Sequence, residues 1–310
     1  MKDISRIAKQ AGVLWMAKQP NGPMQPKGAG TYLETFLITI DGREAALKIS
    51  FDTQRGMFEA AAERRLAAQR LLSPYIGNIK IPKIIGIGRN FIVEEFARGD
   101  EMSGKLLSSL PDGDITGIIS DLAGFLNFTH QHTARRKKSK YPSRYGCFPD
   151  EKVLEFYSST LGTGDFEAVR QAFEMARSDE IAADAYTVLT HGDLHSKNML
   201  YDRASKTLSI IDFGAAGRSS RYTDICPPFA PESTALFAMR RDIIFAVADA
   251  YNDMPKERLP IYYDKDKIEI LTARDALREL ARISMINGRS DSRLINAGIL
   301  AFIRESRRGR

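Results

Sequence analysis

Cysteine is scarce and long apolar runs are missing. Cys147 and Cys226 are the only two cysteines in 310 residues, too few for a disulfide framework, and no Cys/His spacing matches a zinc site. Such usage fits a reducing compartment. The stretch Met1-Lys2-Asp3-Ile4-Ser5-Arg6 lacks the uninterrupted apolar core of a secretory signal. No apolar run approaches the roughly 20 residues needed to span a bilayer. These absences lead to the expectation of a cytoplasmic protein. Internal repeats and low-complexity tracts are missing too, which excludes repeat architectures.

What is present is an ordinary globular composition, 43% hydrophobic and 27% charged. A chain of this length can bury a substantial core in one large or two modest domains. The net charge of +6 is concentrated in Arg135-Arg136-Lys137-Lys138 with Lys140, and in Arg304, Arg307, Arg308 and Arg310. Neither cluster carries the interleaved aromatics of a single-strand nucleic-acid surface. A solvated loop and tail account for them, with peripheral contact to anionic lipid through 135–140 as the alternative. The wording from Asp3 to Val13 superficially resembles the start of a helix-turn-helix, but Gln19-Pro20-Asn21-Gly22-Pro23 breaks any second helix. Nucleic acid is therefore not expected as a partner.

The residues that can carry chemistry concentrate in two short stretches. His191-Gly192-Asp193-Leu194-His195-Ser196-Lys197-Asn198 follows the apolar run 186–189, and Asp212-Phe213-Gly214 follows 208–211. Each polar cluster thus lies just beyond a strand-like run. Moving a phosphoryl group requires a carboxylate beside the attacking hydroxyl and hard oxygen ligands for Mg²⁺. Asp193 suits the first task, and Asn198 with Asp212 the second. Either stretch alone would read as a polar turn between strands. Together they reproduce the spacing of the protein-kinase signature, Asp, four residues, Asn, and then Asp-Phe-Gly.

His-Gly-Asp-Leu-His-x-x-Asn and Ile-Asp-Phe-Gly resemble the aminoglycoside phosphotransferase and choline kinase branch of the protein-kinase-like superfamily, over roughly Gly28 to Ile225. The resemblance implies an α+β, bilobal, protein-kinase-like fold. A small antiparallel-sheet lobe with one helix, residues 1–96, would bind the nucleotide, and a larger, mostly helical lobe, 97–310, would carry catalysis and substrate binding. The implied activity is Mg²⁺-dependent transfer of the γ-phosphate of ATP or GTP to a hydroxyl of a small molecule of aminoglycoside, amino alcohol or sugar type. The alternatives are a protein kinase acting on a protein partner and a catalytically silent kinase fold serving as a binding module. Ordinary protein kinases have Arg at the place of Gly192 and usually Lys at that of His195. The part of His195 stays open between packing in the loop and touching a phosphate.

Taken in order, Ile4, Ile7, Ala8, Ala11, Leu14 and Trp15 predict a helix over 3–18. Strands are expected over 33–40 and 44–49, with Asp41-Gly42 as the hairpin turn. Before them, the backbone N–H groups of Gly28 and Gly30, with Thr31, are candidates to approach nucleotide phosphates, a flexible turn being the alternative. Lys48 stands where the resemblance wants the lysine that holds those phosphates. A helix over about 53–72 offers it Glu59 or Glu63, one turn apart on one face. The run Glu63-Arg64-Arg65-Leu66 resembles the family helix and favours Glu63, with two solvated glutamates as the alternative. After a hairpin of 84–87 with 91–93, Glu94 to Gly99, Phe96 included, resembles the hinge whose backbone pairs with the adenine edge.

Further on, Ile115, Ile118, Ile119, Leu122, Phe125, Leu126 and Thr129 mark one face of a helix ending near His132, with His130 and His132 read as satisfied surface histidines. Residues 133–145 read as a loop. By resemblance, Asp224 braces the active-site loop. Cys226-Pro227-Pro228 then departs from the family, because prolines block the usual helix. Helices are expected around 233–251, 272–286 and 292–306.

Overall fold

The computed structural model describes residues 25–29, 33–50, 55–136, 150–183, 186–225 and 234–287. The expected helices at 3–18 and 292–306, the candidates Gly30 and Thr31, and Cys226-Pro227-Pro228 lie outside those residues. In chain order the strands are β1 (Gln25–Ala29), β2 (Leu33–Ile40), β3 (Arg43–Ser50), β4 (Ile84–Ile87), β5 (Phe91–Glu95), β6 (Asp100–Glu101), β7 (Arg135–Arg136), β8 (Tyr186–Thr190), β9 (Met199–Asp202), β10 (Thr207–Ile210) and β11 (Gly217–Ser219). The helices are α1 (Arg55–Leu72), α2 (Gly104–Leu107), α3 (Asp112–Thr133), α4 (Asp150–Thr160), α5 (Thr163–Ala183), α6 (Tyr222–Ile225), α7 (Thr234–Asp253) and α8 (Lys265–Asn287).

The described residues fall into two compact units, within 1–106 with 196–217 and within 107–195 with 218–310. Residues 97–106 and 196–217 belong to the first unit.

In the first unit, five antiparallel strands run in the order β1-β2-β3-β5-β4. The β2–β3 hairpin turns at Asp41 (φ 48°) and Gly42 (φ 76°). Two positive φ values are what a two-residue primed turn demands, so Asp-Gly specifies it. Side chains alternate across the sheet. Ala45, Leu47, Val93 and Ile38 fill one side, while Ile84, Ile87 and Ile92 pack against Phe58, Ala62 and Leu66 of α1. Lys48 lies opposite Ile92, and Glu94 opposite Ala46, so this period places a lysine and a glutamate as diagonal neighbours. Gly28 stands in β1, paired with Thr35 just after a register shift. The expected loop position of Gly28 is corrected to a strand. A second small sheet, β10-β9-β6, completes the unit.

The second unit is built on helices. Val153 and Tyr157 of α4, Ala168, Val169, Ala172 and Phe173 of α5, and Ala273, Leu277 and Ala281 of α8 make one core. Sequence analysis left α4 and α5 unassigned. Small residues alternate with charged ones in α5, so its stripe is thin, yet Ala168, Ala172 and Ala176 let the helices approach closely. Arg135 and Arg136, expected in a loop, instead form β7 and pair with Thr187 and Tyr186 of β8. The Thr133 hydroxyl accepts a bond from Leu189 N at 2.7 Å, fastening the end of α3 to β8. Among the described residues no helix is long and apolar enough to cross a membrane.

His130 is wholly buried, not the surface residue its position near a helix end suggested. Its Nδ1 lies 3.1 Å from the Tyr251 hydroxyl, and its ring meets Tyr251 and Tyr263 edge-on. Burial, with Arg221 and Lys256 nearby, pushes its pKa down to about 3. The unfolded chain therefore binds a proton near pH 6.5 that the folded protein refuses. Stability should be full above about pH 6.5 and fall as pH drops towards 3, by up to about 1.4 kcal/mol per pH unit from this group. Urea titrations at pH 7 and pH 5 check this, and His130→Phe should flatten the difference. An equal pH dependence in the variant would remove His130 as its source.

Candidate active site

In the first unit, Lys48, Glu94, Arg65 and Asp212 form a chain of alternating charge. Lys48 Nζ lies 2.7 Å from Glu94 Oε2. Arg65 reaches Glu94 Oε1 at 3.4 Å through one terminal nitrogen and binds Asp212 Oδ1 through the other. Lys48, Glu94 and Arg65 are 5%, 6% and 2% exposed, so each charge depends on its neighbours for the solvation that water would otherwise give. Burial works against the Arg65 charge, but Asp212 and Glu94 outweigh it and hold the guanidinium above its ordinary pKa.

The structure thus gives Lys48 a carboxylate partner that sequence analysis assigned to another part. Glu94 lies inside β5, between Ala46 of β3 and Ile84 of β4. Its contribution is its buried side chain, not a hinge edge. Glu63, expected as the partner, sits on α1 and is partly buried. The β-register explains the difference, because the two-residue period puts Glu94 on the same side of the sheet as Lys48. A helix-based argument does not see that pairing. Phe96 follows β5 directly and is half-buried.

Asp212 sits at the head of a short helical turn, Phe213–Ala215, with φ 64° and ψ 60°. A non-glycine residue in the left-handed region costs about 1–3 kcal/mol and persists only where its surroundings over-determine it. Those surroundings are identifiable. Gly214 N donates to Asp212 Oδ1 at 3.3 Å, Arg65 holds the same oxygen, and Arg64 Nε donates to the Gly214 carbonyl at 2.6 Å. A Cβ at Gly214 would lie 3.1 Å from Asp212 Oδ1 and 3.4 Å from Arg65, so the glycine permits this close approach.

Asn198 ends the turn Ser196–Asn198 and is buried. Its carbonyl accepts from Ile211 N at 2.9 Å, which sets the backbone of Asn198 beside the residue preceding Asp212. Among the described residues no three His, Cys, Asp or Glu side chains cluster as a metal site. Mg²⁺ does not need three, since it commonly takes one or two protein oxygens with waters and substrate phosphates for the remainder. An amide oxygen and a carboxylate on adjoining backbone fit that donor set.

Asp193 belongs to the second unit. Its carboxylate is half exposed, and His195 Nε2 lies 3.5 Å from its Oδ2. The loop carrying it is held from beneath by Asp224, which is 4% exposed. Asp224 Oδ2 accepts from His191 N at 2.6 Å and Oδ1 from Gly192 N at 2.9 Å. Gly192 has φ 81°, a conformation that explains glycine at that step of the loop. The bracing part implied for Asp224 by resemblance has this geometry.

Comparison with known proteins bears on what such a site does. The model of the phosphotransferase enzyme family matches residues 24–255. No curated protein matches the chain. Wild-type aminoglycoside 2'-phosphotransferase-IIIa, solved with GDP, is 18% identical over 98% of this chain and 97% of its own, with TM-score 0.61. The streptomycin–ATP ternary complex of the aminoglycoside phosphotransferase APH(2")-IIa is 16% identical over 97% and 98%, with TM-score 0.55. The apoenzyme of macrolide 2'-phosphotransferase MphH from Brachybacterium faecium is 15% identical over 96% of both chains, with TM-score 0.60. At these identities the neighbours establish the α+β kinase-like fold.

Charge-assisted bonds contribute about 1.5–3 kcal/mol each, and Asp224 accepts two from buried backbone. Asp224→Ala should lower unfolding stability by about 3 kcal/mol or more, and Asp224→Asn by less. Urea unfolding measures both. An unchanged midpoint in the alanine variant would show that the loop is held some other way.

Proposed function

The chain belongs to the phosphotransferase enzyme family, and from that premise we propose that it transfers the γ-phosphate of ATP or GTP to a hydroxyl of a small molecule, with Mg²⁺ as cofactor. The observation that carries this reading is the linked set Lys48–Glu94–Arg65–Asp212, with Asn198 backed onto Ile211. It gathers a cation suited to phosphates and two hard oxygen donors in one unit.

Each residue then has a task. Lys48 holds the nucleotide phosphates, its ammonium kept in place by Glu94. Asn198 and Asp212 hold Mg²⁺, which when bound neutralises charge developing on the transferred group. Asp193 orients the acceptor hydroxyl and takes its proton, and half exposure leaves it accessible to an acceptor. His195 Nε2, 3.5 Å from that carboxylate, is placed to steady it. The backbone of the Asp193 loop is fixed through Asp224, so the carboxylate is presented from a rigid support. The acceptor class does not follow from the fold, because the structural neighbours include proteins named for aminoglycosides and for a macrolide.

A panel of aminoglycosides, macrolides, amino alcohols, sugars and lysate proteins, offered with radiolabelled ATP or GTP and Mg²⁺, tests the proposal. Label should pass to a small-molecule hydroxyl. Transfer confined to proteins would replace the reading with a protein kinase, and no transfer despite tight nucleotide binding would leave a binding module. Asp193→Asn should reduce single-turnover transfer by about 10²- to 10⁴-fold with nucleotide affinity near that of the parent. Transfer at the parent rate would defeat its role. Lys48→Ala should weaken nucleotide binding in calorimetry while the fold survives, because Arg65 still compensates Glu94. Unchanged affinity would place the phosphates elsewhere.

A further inference from the structure

Arg65 has no task in the chemistry assigned above, yet it bridges two carboxylates of that site. Its guanidinium is 2% exposed and spans two carboxylates, Asp212 and Glu94. Its Nε is buried without a partner, so the side chain is fixed through its two terminal nitrogens. The neighbouring Arg64 takes the Gly214 carbonyl. Through consecutive arginines α1 therefore grips both the side chain and the backbone of Asp212-Phe213-Gly214.

We propose that Arg65 is the positioning residue for the metal-holding carboxylate: it fixes Asp212 in the left-handed conformation and orientation in which Asp212, with Asn198, receives Mg²⁺. The inference rests on the functional reading above. A cation next to a metal ligand by itself weakens metal binding, and Glu94, shared with Lys48, offsets Arg65 only in part. What Arg65 supplies is orientation. Asp212 is 41% exposed at its side chain, and a carboxylate that loses its guanidinium partner on a half-open turn spreads over more rotamers. Groups that orient metal ligands typically change metal affinity by about 10- to 100-fold when removed. Arginine suits the task because its planar fork meets two carboxylates at once, whereas an ammonium is a single point.

Arg65 also shares Glu94 with Lys48, Oε1 going to one and Oε2 to the other. A change at Asp212 can thus reach the phosphate lysine through one guanidinium and one carboxylate. Replacing Arg65 should weaken the gain in nucleotide affinity that metal brings, while metal-free nucleotide binding, which depends on Lys48, changes little.

The test uses Mn²⁺, a spectroscopically visible ion with the same oxygen preference as Mg²⁺. Its binding to the full chain is followed by electron paramagnetic resonance, alone and with a non-hydrolysable ATP or GTP analogue, in the parent, Arg65→Met and Arg65→Lys. The Met variant should lose about tenfold or more in Mn²⁺ affinity and keep metal-free analogue binding within about threefold, and the Lys variant should recover less than half of the loss on a logarithmic scale. Parent-like Mn²⁺ affinity in folded Arg65→Met, or full recovery in Arg65→Lys, would overturn the proposal. If the Met variant does not fold, Arg65→Lys decides alone: a loss of about threefold or more supports the tether, and parent affinity refutes it. Should Mn²⁺ fail to raise analogue affinity even in the parent, the functional reading fails, an outcome distinct from parent and variants that share an intact response.

Discussion

A guanidinium that is 2% exposed on the inner side of a helix keeps its charge at a large desolvation cost unless carboxylates come to it, and in the first unit two do. The apolar stripe of α1 fixes where Arg65 must lie, since Phe58, Ala62 and Leu66 are committed to Ile84, Ile87 and Ile92. From there the requirement for compensation pulls in Glu94 from β5 and Asp212 from the turn after β10. Glu94 in turn draws Lys48. The left-handed backbone of Asp212 and the glycine two residues on are concessions to the same constraint, because a side chain at Gly214 would press on the Asp212 carboxylate that Arg65 holds. Removing one member of such a buried set typically destabilises by about 3–5 kcal/mol, much more than an exposed ion pair contributes.

The second unit solves a smaller problem in the same manner. A loop that presents an exposed carboxylate leaves its own backbone donors to be satisfied, and Asp224 accepts two of them from beneath. Gly192 makes the turn possible and Asp224 makes it rigid. His195 near Asp193 remains on the exposed side. The division separates the backbone that is fixed from the carboxylate that stays exposed, and it does so with three side chains and one glycine.

Membership of the phosphotransferase family is shown by the family model over residues 24–255 and does not specify the acceptor. Structural neighbours at 15–18% identity share the fold while their names cite different antibiotics. A fold does not by itself specify an acceptor.

Local patterns in the sequence already determined much of this protein. The Asp-Gly hairpin, the amphipathic stretches of α1 and α3, and the kinase-signature spacing of Asp193, Asn198 and Asp212 are short-range features, legible from turn geometry, periodicity and motif spacing. Asp41, Gly42 and Lys48 sit where those rules put them. Pairing between distant stretches was decided only by tertiary structure. Lys48 meets Glu94 because the register of β3 with β5 puts both on one side of the sheet, and no one-dimensional spacing encodes register. Arg65 finds Asp212 across 147 residues, His130 is buried among tyrosines 121 and 133 residues away, and Arg135 and Arg136 are drawn into a strand by β8. For Lys48, Arg65 and His130 a charged or polar residue that sequence would leave in water is moved inside by partners that only the folded chain supplies, and desolvation makes those partners obligatory, whereas Arg135 stays exposed and pairs through its backbone.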